Sequence, residues 1–276
     1  MDDKPKLLTA KRKKIIHQLV TMLLEDLPDS IPVYPEVIAA SEGIKHKIND
    51  YNNDFSGLIE YYNGRFFIFL HSSIGESLQS PVLRYSFAHE LGHYIIYSHR
   101  AELMLEGKLQ YSLTDSMLSD SLQEKEAEYF ASCLLMPEHH FLNDIQGKSF
   151  SLELMMELSS KYMVSLTATV LRYATLGSES LYIICSKPDA IKWKYPGKDF
   201  PFHKLNISPY GSIAAGSQAG NLHYSGIRNF MHPMQAPASL WFTSSRETEL
   251  LRIFNEQCYN YNSNEEVISV IWEVKG

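Results

Sequence analysis

Residues 84–99 read RYSFAHELGHYIIYSH, and within them His89, Glu90 and His93 form the pattern H-E-x-x-H. On a helix, residues four apart stack on one face, so both imidazoles can reach a single ion. Zinc accepts neutral imidazole nitrogens at roughly 2.0–2.1 Å in a near-tetrahedral shell. A carboxylate next to the first ligand can take a proton from water activated by the ion. The pattern therefore describes metal-assisted hydrolysis, with Glu90 as general base. Five residues make a short signature, however, and the apolar residues around them describe an ordinary buried helix equally well. A catalytic zinc centre also needs a third protein ligand and an open position.

Two segments offer that ligand. His99 follows His93 by six residues, the spacing of the longer H-E-x-x-H-x-x-G-x-x-H pattern, but Ile96 stands where a sharp turn needs glycine. A helix continuing through Ile96 points His99 about 120° away from His93, at ~100° per residue. A histidine near a helix end is favourably placed by the dipole and needs no ion. The second segment is QEKEAEYFASCLLMP, residues 123–137, where Glu124 and Glu128 stack four apart and Glu126 points elsewhere. One stacked carboxylate can bind the ion while the other accepts the second N–H of a ligand histidine. The plain alternative is a solvated acidic first turn.

Several elements must position these groups. Ser80-Pro81 is a helix start, a capping hydroxyl followed by proline in the first turn, so a helix is expected over about 81–98. A second begins near Ser119–Ser121 and runs to Pro137, with Ala127, Phe130, Ala131, Leu134 and Leu135 on one face. Upstream, two apolar-aromatic runs flank Asn63-Gly64, which predicts a tight hairpin of strands at about 57–62 and 65–70. Residues 7–27 are apolar at helical spacing up to Pro28, and 151–177 reads as two short helices broken near Met163–Ser165. From about 180 the texture changes. SLYIICS and EEVISVIWEVKG read as strands, SSRETELLRIFNEQCYNY as a helix, and YGSIAAGSQAGNLHYSG as a mobile loop. The expected division is an N-terminal helix (1–28), a central domain (29–178) and a smaller α+β domain (179–276), in an α+β protein overall.

The paired segments resemble the ImmA/IrrE family of zinc metallopeptidases, whose members show R-F-x-x-A-H-E-L-G-H and then E-x-x-A-[ND]-x-F-A-x-x-L-L-M-P. The likeness extends over roughly residues 30–177. It implies a zincin-like domain, mainly helical with a small antiparallel sheet. It also implies a zinc ion held by His89, His93 and Glu124, with Glu90 as general base. Glu128 takes a position usually held by Asn or Asp and is assigned a supporting role behind the ligands; Tyr85 replaces the usual Phe. A substrate segment is expected to add in extended form to the edge strand of the hairpin. Tyr94, Tyr97, His71 and His99 are available by type to stabilise the oxyanion. Family members cleave a helix-turn-helix repressor and so derepress stress or mobile-element genes. This chain shows no such motif of its own, so any repressor would be a separate protein.

Composition narrows the rest. A formal charge of −7 argues against direct nucleic-acid binding. The basic run Lys11–Lys14 reads as the wet face of a helix. Cys133, Cys185 and Cys258 lack any pairing pattern, which suits a reducing compartment. No secretory segment is visible and FFIFL (66–70) is far too short to span a bilayer, so a cytoplasmic protein is expected. His139-His140 follow Pro137 at a helix start and read as exposed. The competing function is a non-proteolytic, metal-binding regulator or sensor acting through its C-terminal domain.

Overall fold

The computed structural model describes residues 8–51, 55–106, 110–112, 121–206, 213–225, 232–261 and 265–274. They divide into two units, Met1–Gln146 with Glu153–Thr169, and Gly147–Leu152 with Val170–Gly276.

In the first unit, α1 (Ala10–Glu25) starts where Thr9 Oγ1 accepts from Arg12 N, and it buries Ile16 and Val20. After α2 (Pro35–Ser41) come strands β1 (Lys45–Asn49), β2 (Gly57–Tyr62) and β3 (Arg65–His71). Asn63 and Gly64 take φ of 49° and 79°, the left-handed pair that a tight hairpin turn requires, and β2 pairs antiparallel with β3. The four-stranded sheet runs β1-β3-β2-β4, with β4 at Gln110–Ser112. Two expectations fail here. The sheet is mixed rather than antiparallel, because β1, short and rich in charge, pairs parallel with β3. Both hairpin strands are therefore interior, and the sheet edges belong to β1 and β4. Hairpin signals are local, whereas β1 finds its partner across intervening strand β2.

The helices follow as α3 (Pro81–Ile95), α4 (Tyr97–Glu106), α5 (Leu122–Leu135), α6 (Glu138–Ile145) and α7 (Leu152–Tyr162). The single helix expected over 81–98 ends early. Ile96 is extended (φ −73°, ψ 106°) and separates α3 from α4. Its side chain is fully buried there, so burial of an apolar group holds the break without glycine. Met163, at φ 52°, marks the turn between α7 and α8 (Leu166–Leu176), and the boundary between the two units falls within α8.

The second unit contains an antiparallel sheet, β6-β5-β9-β8-β7, made of β5 (Leu181–Lys187), β6 (Ala190–Pro196), β7 (Met234–Pro237), β8 (Ile253–Tyr261) and β9 (Glu266–Glu273). Its core gathers Tyr182, Ile184, Phe200, Phe242, Phe254 and Ile271. Residues 253–261, expected to be helical, form β8. Ile253, Phe254, Cys258, Tyr259 and Tyr261 have strand propensity, and pairing with β9 overrides the helix formers before them. Gln218–Ser225, expected to lie in a loop, forms helix α9, whose first two N–H groups donate to the buried Glu256 carboxylate at 2.8 and 3.0 Å. Residues 213–217 before it form neither helix nor strand, as expected, and 210–212 and 226 lie outside the described residues. Cys133, Cys185 and Cys258 are buried, and no disulfide joins them among the described residues. Among the described residues no helix is long and apolar enough to cross a membrane.

Candidate metal centre

Helix α3 is buried around almost its whole girth from Leu83 to His93. Leu83, Phe87, Ala88 and Leu91 are fully buried, and burial of a large apolar side chain contributes about 1.5–3 kcal/mol. These contacts fix the helix that carries His89, Glu90 and His93. Arg84, also fully buried, anchors its first half: Nε donates to the Met163 carbonyl at 3.2 Å and Nη2 to the Val33 carbonyl at 2.6 Å.

Helix α5 approaches α3 closely at Gly92. A Cβ at that position would lie 2.9 Å from Phe130 Cδ1 and 3.4 Å from Ala127 Cα, too close to the ring to be accommodated unmoved. The absent side chain lets α5 lie against α3, and Glu124, one turn before Ala127, reaches the histidines. His89 Nε2 lies 3.0 Å from Glu124 Oε2 and 3.2 Å from His93 Nε2. Glu124 Oε1 is 3.4 Å from His93 Nε2. All three residues are buried, with Glu124 only 7% exposed.

These separations test whether the residues fit an ion. Ligands about 2.05 Å from a tetrahedral centre stand roughly 3.3 Å apart, and the three contacts of 3.0–3.4 Å surround that value. Hydrogen bonding alone is a poor account of the cluster, because two imidazole nitrogens and a carboxylate converge where only donor–acceptor pairs can be satisfied. Two imidazoles and one carboxylate also form a donor set suited to zinc. The residues fit a divalent ion.

Protonation follows from burial and charge. Burial holds His93 neutral, its pKa lowered to about 4 despite the neighbouring Glu124. Burial opposes ionisation of Glu124, but hydrogen bonds and charge from His89 and His93 outweigh it and hold the carboxyl well below its ordinary range. Burial likewise presses His89 down, yet Glu124, with the charges of Glu90 and Glu128, raises it overall. Glu90 is fully buried beside the first histidine. Glu128 lies one turn beyond Glu124, its charge reaches His89, and its backbone carbonyl accepts from Tyr85 Oη at 3.2 Å.

Other candidates are placed elsewhere. His99 is not a solvated helix-end histidine: the break at Ile96 turns it back, 3% exposed, with its ring centroid 5.1 Å from that of His93. Its Nε2 faces Glu126 Oε2 at 2.9 Å rather than the three-residue cluster. Glu126 in turn accepts from Arg12 Nε of α1 at 2.7 Å. This Arg12–Glu126–His99 chain escaped the sequence reading, since Arg12 and Glu126 are 114 residues apart and carry no shared pattern. Tyr94 Oη donates to Glu42 at 2.9 Å, Tyr97 is 74% exposed, and His71 Nδ1 accepts from Ser73 N. The geometry assigns the oxyanion role to none of the four.

Two packed helices thus bring together a buried His-His-Glu cluster, with a glutamate beside the first histidine. Residues 44–173 match the family model of peptidase M78, the IrrE N-terminal-like domain. Over that segment the chain is similar to the IrrE N-terminal-like domain. Among solved structures, a Mycobacterium tuberculosis transcriptional regulator shares the fold with a TM-score of 0.56 at 10% identity, over 96% of this chain and 77% of that one. No curated protein matches.

Proposed function

We propose that the chain is a zinc-dependent endopeptidase of the zincin-like type with a regulatory role, acting on a separately encoded protein such as a helix-turn-helix repressor. The observation that carries this reading is the convergence of His89, His93 and Glu124 within the peptidase-family segment. His89 and His93 would hold the ion through Nε2 and Glu124 through its carboxylate. Bound there, zinc polarises a carbonyl and lowers the pKa of water. Glu90 accepts the proton of the attacking water and delivers it to the leaving amine. Glu128 supports the ligands through its charge on His89. Residues 179–276 would bind the substrate or sense the signal. The proposed role is a cytoplasmic one, with a protein substrate and without membrane or direct nucleic-acid partners.

The test is Glu90→Gln, which keeps size and hydrogen bonding but removes the base. Cleavage of a candidate repressor should fall by a factor of about 10² or more, with zinc content unchanged. Undiminished cleavage would refute the assigned base. One observation favours the second reading, a metal-binding regulator without proteolysis: the similar solved structure is named as a transcriptional regulator. Stoichiometric zinc without cleavage of any candidate repressor would favour it.

A further inference from the structure

A second group of potential ligands lies in the first unit, apart from the cluster just described. Asp29 belongs to the segment between α1 and α2, and His139 and His140 to the first turn of α6. The Nε2 atom of His140 is 2.7 Å from Asp29 Oδ1, and that of His139 is 3.4 Å from the same oxygen. The three ligand atoms all lie within 4.8 Å of one another. Neighbouring residues on a helix diverge by ~100°, yet these two rings converge, with centroids 4.0 Å apart and planes inclined by 40°.

The group also stands at a cleft of about 160 Å³ whose walls include Leu24, Leu27, Pro32 and Val37, and Asp29, His139 and His140 contribute its polar part. We propose that Asp29, His139 and His140 form a second divalent transition-metal site, at the edge of this cleft. The donor set selects the metal class. Two imidazoles and one carboxylate suit Zn²⁺, Co²⁺, Ni²⁺ or Cu²⁺, whereas Mg²⁺ and Ca²⁺ require a shell of oxygens. The separations of 2.7 and 3.4 Å bracket the roughly 3.3 Å expected between ligands of a tetrahedral shell. Because His139 and Asp29 are largely exposed, small side-chain rotations complete the geometry and solvent fills the remaining positions. The bound ion ties the α1–α2 segment to the start of α6. This site does not depend on the peptidase reading.

Zinc and cobalt titrations of the full chain, followed by metal analysis after gel filtration and by cobalt absorption, test the proposal. Wild type should bind two ions. His139→Ala/His140→Ala should bind one, and Asp29→Asn should weaken the second ion at least tenfold. Circular dichroism verifies that each variant remains folded; Asp29 and His139 are exposed and His140 half-buried, and Asp29→Asn provides an independent arm. Glu124→Ala should keep the second ion while weakening the first. That variant separates the two claims: a single ion unaffected by Glu124→Ala but lost in the double-histidine variant supports this site and refutes the other. A wild type binding only one ion, itself lost with Glu124→Ala, overturns the proposal. So does a second ion retained in the double-histidine variant.

Discussion

Gly92→Ala offers a sharp test of how helix packing creates the proposed metal centre. On an isolated helix the substitution would be favourable by about 0.8–1 kcal/mol. Here the added methyl would sit 2.9 Å from Phe130 Cδ1 and 3.2 Å from Cγ. An ordinary carbon–carbon contact of roughly 3.5–4.0 Å requires the ring or the helix to shift by about 0.6–1 Å. Phe130 is fully buried, so part of that shift passes to α5, which carries Glu124. Overpacking costs about 1–3 kcal/mol, and after the propensity gain the net loss of stability is about 0–2 kcal/mol. The metal is more sensitive, because ligand distances must hold within ±0.2 Å, and displacing Glu124 by half an ångström exceeds that tolerance. Competitive titration against a chromophoric chelator should show zinc affinity at this centre falling ten- to a hundredfold, in a protein whose thermal midpoint moves by only a few degrees. An affinity equal to wild type would refute the argument that Gly92 sets the α3–α5 approach.

Other positions give independent checks. Arg84→Ala strands the Val33 and Met163 carbonyls and empties a buried site, and should destabilise the protein by about 2–4 kcal/mol in urea melts. Arg12→Ala removes a partly exposed partner of Glu126. A loss of about 1 kcal/mol is expected, with zinc content unchanged because Glu126 faces His99 and not the three ligands. Tyr182→Phe deletes a buried hydroxyl that has no hydrogen-bond partner among the described residues and whose pKa burial pushes up to about 12. Stability should rise by about 1 kcal/mol in the same assay, and a loss would show that the hydroxyl is satisfied.

What the sequence disclosed follows the range of the interactions involved. His89 and His93 four apart, the Ser80-Pro81 helix start and Asn63-Gly64 are short-range signals, and each appears in the structure where expected. Glu124 stands in the first turn of α5, as read, but only Gly92 against Phe130 brings it to the histidines. The break at Ile96 had no glycine or proline to announce it. It is held by burial of Ile96 and by the His99–Glu126 contact between α4 and α5. Helix formers in SSRETELL masked β8, whose conformation depends on β9 alongside it. The parallel pairing of β1 with β3 is similarly invisible to local pattern. The candidate ligands were therefore easier to place on their helices than the elements that support them.

Anomalous diffraction at the zinc edge, from crystals of zinc-loaded protein, addresses the central claim most directly. The account predicts a peak about 2.0–2.1 Å from Nε2 of both His89 and His93 and from a carboxylate oxygen of Glu124. A zinc-loaded crystal with no anomalous density between those three side chains would contradict it.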